Sequence, residues 1–253
     1  MRNPANADYL CPFLEGVCTK RSQQVSGPFP VCTVFRTQYN RTPICVCPKR
    51  FNDIDIVKDI IENCWPGPKP AIERVKIINE VKLGHLGNMD MVLAEMDEWG
   101  EIHKFVSVEL QAVDITGSYF PAYNALTNSE MLERAPTYSF NWKNVYKRYV
   151  TQLIDKGFQH SMWKTIIVSV MQDTVLERIL QIGNIASSPI NESNVVFLGY
   201  KFVEDEFNGR FTPELSIIKG TTHANIVSGT LYKNSIDIND VKRRLKDKLT
   251  SRH

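Results

Sequence analysis

The 253-residue sequence lacks any stretch approaching ~18 consecutive apolar residues, which excludes a membrane-spanning helix as its organising element. Its opening, MRNPANADYLCPFLEG, lacks the apolar core of a secretory leader, so a cytoplasmic, reducing location is expected. An excess of one charge is missing too. Thirty Lys and Arg against 28 Asp and Glu leave +2, too little to identify a partner by itself. No internal repeat or low-complexity tract is present. What remains, at 43% hydrophobic content, is a chain able to bury a full core.

Cysteine is absent after residue 64. All six lie before it, at Cys11, Cys18, Cys32, Cys45, Cys47 and Cys64. A disulfide framework suits a short secreted domain, and this chain has neither the leader nor the size for one. Thiolates gathering a loop-rich segment around a metal fit better, although no Cys-x-x-Cys pair occurs and free thiols stay open as the alternative. Histidine is absent from the same region, so a site here is all sulfur, which suits tetrahedral zinc or iron. The stretch WPGPKPAIE then marks a boundary, giving a metal-binding module over 1–66 and a second unit over 67–253.

Beyond that boundary the pattern changes to period two, and successive strands are expected. In NMDMVLAEM, Asp90, Val92 and Ala94 share one face. In FVSVELQAV, Ser107, Glu109 and Gln111 oppose Val106, Val108 and Leu110. Gly100 in DEWGEI suits a turn. A hairpin centred on Trp99-Gly100 makes Asp90 and Glu109 cross-strand neighbours, with Cβ atoms ~4.5–5.5 Å apart. Two carboxylates that close repel unless a cation lies between them, and Mg²⁺ prefers such oxygens. An amphipathic hairpin with a wet polar face is the simpler alternative, and a one-residue slip would separate the pair.

NVYKRYVTQLIDKGFQHSMWK is helical in pattern, with Val145, Tyr149 and Leu153 as its stripe and Lys147 and Arg148 beside it, where phosphate contact is possible. QDTVLERILQIGN reads as a helix ending at Gly183. SNVVFLGYKFVED, GRFTPELSIIK and ANIVSGTLYK read as strands, with FNG as a turn. The C-terminal DVKRRLKDKLTSRH reads as an amphipathic helix that packs through Val241, Leu245 and Leu249. The five histidines show no ligand spacing. The expected fold is α/β (α+β), a mixed sheet flanked by helices, with a small loop-rich module at its N-terminus.

Asp90 followed by Glu109-x-Gln111 resembles the metal-binding motif of the PD-(D/E)XK nucleases, with Gln in place of the usual Lys. More specifically, the chain is similar to the NotI-type restriction endonucleases. The ordered pieces are CPFL, VCTK, VCTV, VCPKR, NEVKLG, MDMVLAE, VELQAVDITGSY with its Gly117-Ser118-Tyr119, and NVYKRYVTQ, spanning about Cys11 to Gln152. The resemblance implies a PD-(D/E)XK core and a four-cysteine site in which Cys11, Cys18, Cys32 and Cys47 hold iron, or alternatively zinc. Cys45 and Cys64 are then spare, buried side chains. It implies Asp90 and Glu109 as Mg²⁺ ligands, Gln111 as the third active-site position and Glu80 as an upstream acid, for which a plain surface carboxylate is an equal reading. The implied activity is that of a type II restriction endonuclease within a restriction-modification system. Such an enzyme is a homodimer hydrolysing double-stranded DNA at a palindromic site and leaving 5′-phosphates. The alternatives are a DNA-repair enzyme and a metal-stabilised DNA-binding protein whose cleavage is lost with the Lys.

Overall fold

In the computed structural model, residues 8–35, 42–117, 119–132, 138–207, 209–232 and 236–250 are described. The N-terminal segment is loop-rich. It contributes two short paired strands, β1 (Thr33–Phe35) and β2 (Pro43–Cys45), a 3-10 turn over Pro48–Asp53 and one helix, α1 (Ile56–Asn63). Asp55 caps α1 by accepting the Lys58 N–H.

The alternating region forms β3 (Val75–Lys82), β4 (Asn88–Met96) and β5 (Ile102–Gln111), each antiparallel to the next. A short pair, β6 (Ile115–Thr116) and β7 (Ser139–Phe140), brackets α2 (Phe120–Asn128). Then come α3 (Trp142–Met162), β8 (Ile167–Gln172), α4 (Asp173–Gly183), β9 (Val195–Asp205) and β10 (Arg210–Thr221). Two helices close the chain, α5 (His223–Leu231) and α6 (Ile238–Thr250). The main sheet has six strands in the order β10-β9-β8-β5-β4-β3, parallel across β5-β8-β9 and antiparallel elsewhere. A mixed sheet flanked by helices is therefore what this sequence builds.

The β4–β5 register runs from Met91 opposite Val108 to Glu95 opposite Lys104, the pairing a centre at Trp99-Gly100 requires. Gly100 has φ +82°, in the left-handed region that glycine enters without steric cost. Two cores follow from the alternation. One face packs Val92, Ile167, Met171, Val195 and Phe197 against α3, α4 and α5. The other packs Leu93, Val106, Val108, Val168, Val170, Val196 and Leu198 against Phe51, α1 and Trp65 from the N-terminal segment.

Three expectations need correction. The central strand β8 stands between the two expected consecutive helices. All six of its residues are buried, so both faces are apolar or hydrogen-bonded and period two is lost. The expected strand ANIVSGTLYK, whose Lys233 lies outside the described residues, falls instead on the helix α5 as far as Leu231. Thr222 caps it, and Ile226 and Gly229 are buried, so packing overrides the β-branched composition. The helix α6 forms as expected, but its stripe does not pack: Leu245 and Leu249 are 60% and 74% exposed. Asn208 of the expected FNG turn lies outside the described residues, as does Ser118.

Candidate active site

Sheet alternation puts Ser107, Glu109 and Gln111 of β5 on the face that α3 covers, together with Ser169 of β8 opposite Glu109. A polar row under a helix costs free energy unless each group finds a partner. The underside of α3 supplies them at helical spacing. Tyr149 Oη lies 2.5 Å from Ser169 Oγ, Lys156 Nζ lies 2.5 Å from Glu109 Oε1, and His160 Nε2 lies 2.7 Å from Ser107 Oγ. Leu153 fills the interval and is fully buried. Helix and strand thus carry matched polar ladders, one rung per turn or so.

At its outer end this row meets Asp90. The β4–β5 ladder ends at Met91 and Val108, and the next step of the same register sets Asp90 beside Glu109. There the Leu110 N–H donates to Asp90 Oδ2 at 2.8 Å. Asp90 is exposed, whereas Glu109 is 8% exposed. Burial pushes the Glu109 carboxyl up to about 7, Lys156 opposes that shift, and the charge of Asp90 adds to it. The two carboxylates therefore sense each other, one facing solvent and one beneath it.

The other expected site residues fall around this pair in different ways. Gln111, half-buried and two residues beyond Glu109 on the same face, donates through Nε2 to the Ala112 carbonyl. Glu80 stands opposite Asp90 by the β3–β4 register, yet it has φ +54° and its carboxylate reaches Lys49 at 3.7 Å. Its side chain is 75% exposed. Lys147 and Arg148 are exposed on α3, and Arg148 pairs with Asp114 at 3.0 Å.

Among the described residues, no group of three or more His, Cys, Asp or Glu side chains is arranged to hold a metal. Mg²⁺ chemistry uses a smaller set, one or two carboxylates plus waters and substrate phosphates. The cysteines, too, form no such group of three or more among the described residues. Cys32 and Cys47 share a hydrogen bond that raises Cys32 and lowers Cys47 to about 6. Cys11 acts electrostatically on Cys18 and Cys32, and Cys47 acts on Cys18, so the four thiols do share one neighbourhood. Cys64 stands apart from it, whereas Cys45 lies beside it and donates its thiol to the Cys47 carbonyl; both are buried, and burial pushes each up to about 12.

Sequence reasoning missed Lys156, His160 and Ser169. A signal existed for the first two: the stripe Val145, Tyr149, Leu153 continues at helical spacing into Lys156 and His160. Polar residues on a buried stripe point to polar partners opposite. A family model for restriction endonuclease NotI matches residues 3–212. No curated protein matches the chain.

Proposed function

The chain belongs to the restriction endonuclease NotI family and is a type II site-specific deoxyribonuclease; we propose that Asp90 and Glu109 form its Mg²⁺-dependent cleavage centre. The observation that carries this is their adjacency where the β4–β5 ladder ends, with each carboxylate held by one oxygen. Asp90 Oδ2 accepts from Leu110, and Glu109 Oε1 accepts from Lys156. The second oxygen of each remains for a cation and its waters.

A Mg²⁺ ion bound there would polarise a phosphate oxygen and acidify a water molecule. The chain's own groups do the positioning. Leu110 fixes the Asp90 carboxylate through a main-chain donor, which needs no side-chain ordering at the moment of reaction. Gln111, a neutral amide, commits its Nε2 to Ala112 and keeps its carbonyl oxygen as an acceptor toward an attacking water. Exposed Lys147 on α3 offers a phosphate contact, and Arg148 offers another once exchanged from Asp114. Cleavage of both strands at a palindromic site follows from a homodimer whose twofold axis matches that of the DNA. The products are a 5′-phosphate and a 3′-hydroxyl.

For the N-terminal module we propose one iron, or alternatively zinc, held by Cys11, Cys18, Cys32 and Cys47. Their mutual electrostatic contact, the separate burial of Cys64 and the commitment of the Cys45 thiol to the Cys47 carbonyl support this choice. Metal analysis of purified protein should give about one ion per chain, lost in Cys11→Ser. Digesting a plasmid library with Mg²⁺ and sequencing the ends tests the DNA reading. One recurrent palindrome with 5′-phosphate ends is expected, and random ends or intact plasmid contradict it.

A further inference from the structure

Gln111 leaves the strand motif without a positive charge, and the fold brings one from another element. Lys156 of α3 is 3% exposed, and its ammonium lies 2.5 Å from Glu109 Oε1 and 2.9 Å from the Asn88 carbonyl oxygen. Asn88 precedes Asp90 by two residues on β4, so one ammonium ties together the two strands that carry the two carboxylates. It does so beyond the last ladder pair, where the backbone no longer holds them in register. The Lys156 carbonyl accepts from His160 Nδ1 at 2.6 Å, which fixes that turn of α3. Tyr149, His160, Ser107 and Ser169 surround the pair, and each is already hydrogen-bonded.

Stability alone does not explain this arrangement, because a buried ion pair adds little over apolar packing of the same volume. A carboxylate that must offer one oxygen in a fixed direction does need such a clamp. We propose that Lys156 is the positioning residue of the cleavage centre, anchoring Glu109 Oε1 so that Oε2 faces a cation shared with Asp90. This rests on the reading of Asp90 and Glu109 as the metal-holding pair.

The test uses full-length Lys156→Met and Lys156→Arg with a plasmid bearing the site found by end sequencing, cleaved over a Mg²⁺ series. Lys156→Met should raise the half-saturating Mg²⁺ concentration and lower the maximal rate, each by about tenfold or more. Lys156→Arg should restore part of both. Wild-type rate and Mg²⁺ dependence in folded Lys156→Met would overturn the proposal. Should Lys156→Met fail to fold, the wild-type protein with ¹⁵N-labelled lysine supplies the answer. The Lys156 ammonium resonance, identified by its absence in Lys156→Arg, should shift as Ca²⁺ is added, and an unmoved resonance overturns the proposal. Asp90→Asn separates the two levels: if it cleaves normally, the site reading itself fails. If it is inactive while Lys156→Met is normal, only the role of Lys156 falls.

Discussion

The side-chain oxygen of Gln172 accepts the Cys45 N–H at 2.9 Å, and the same amide donates to the Pro43 carbonyl at 2.9 Å. Gln172 is fully buried at the end of β8, so it acts toward β2 as a further length of strand. This amide ties β2 to the main sheet. Gln172→Leu keeps the volume but leaves a buried N–H and C=O unpaired. It should lower stability by about 2–4 kcal/mol, measured as a urea midpoint shift, and speed proteolysis within 43–65. An unchanged midpoint would show that water replaces the amide.

His160 gives the fold an acid sensitivity. Burial lowers its pKa, with the Lys156 ammonium acting in the same direction and the hydrogen bond to the Lys156 carbonyl against it. The folded pKa lies below the unfolded value near 6.5, so the unfolded chain binds the extra proton. The stabilising contribution is full above about 6.5 and is lost as pH falls from there toward the folded pKa. Urea titrations should show wild type losing more stability than His160→Gln between neutral and mildly acidic pH. Parallel losses would contradict this.

Gly229 marks the crossing of α5 over the end of α4. A Cβ there would meet the carbonyl oxygen of Gly183 and come within 2.9 Å of the Asn184 carbonyl carbon. Gly229→Ala should therefore cost about 1–3 kcal/mol through displaced backbone rather than lost flexibility. A melting temperature equal to wild type would place the two helices further apart than described.

Thiol reactivity distinguishes the six cysteines. Cys47 is lowered to about 6, chiefly by its hydrogen bond with Cys32, whereas Cys45 and Cys64 sit near 12. In metal-free protein at neutral pH, iodoacetamide should label Cys47 ahead of Cys45 and Cys64, because the thiolate is the nucleophile. Metal binding should suppress that labelling. Faster labelling of Cys45 would contradict the burial described.

The register that brings the candidate site's two carboxylates together was legible because β4 and β5 are half-buried strands. Their alternation sets the faces, and a turn centred on Trp99-Gly100 sets the register, so Asp90 and Glu109 meet by counting. The central strand β8 carries no such alternation, since both of its faces are covered. ANIVSGTLYK was misread because Ile, Val and Thr favour strands locally, while burial of Ile226 and Gly229 favours a helix. The Lys156–Glu109 contact joins residues 47 apart in the sequence. No local pattern encodes which turn of α3 lies over which residue of β5, and only packing decides it. The four cysteines were legible as a group, but not the geometry that would close them on a metal.

Single-turnover cleavage of plasmid DNA by Glu109→Gln, alongside DNA binding in Ca²⁺, tests the central claim most directly. The variant is expected to bind DNA yet cut at least about 10²-fold more slowly than wild type at saturating Mg²⁺. A Glu109→Gln enzyme that cuts at the wild-type rate would mean that the phosphodiester is broken elsewhere on the molecule.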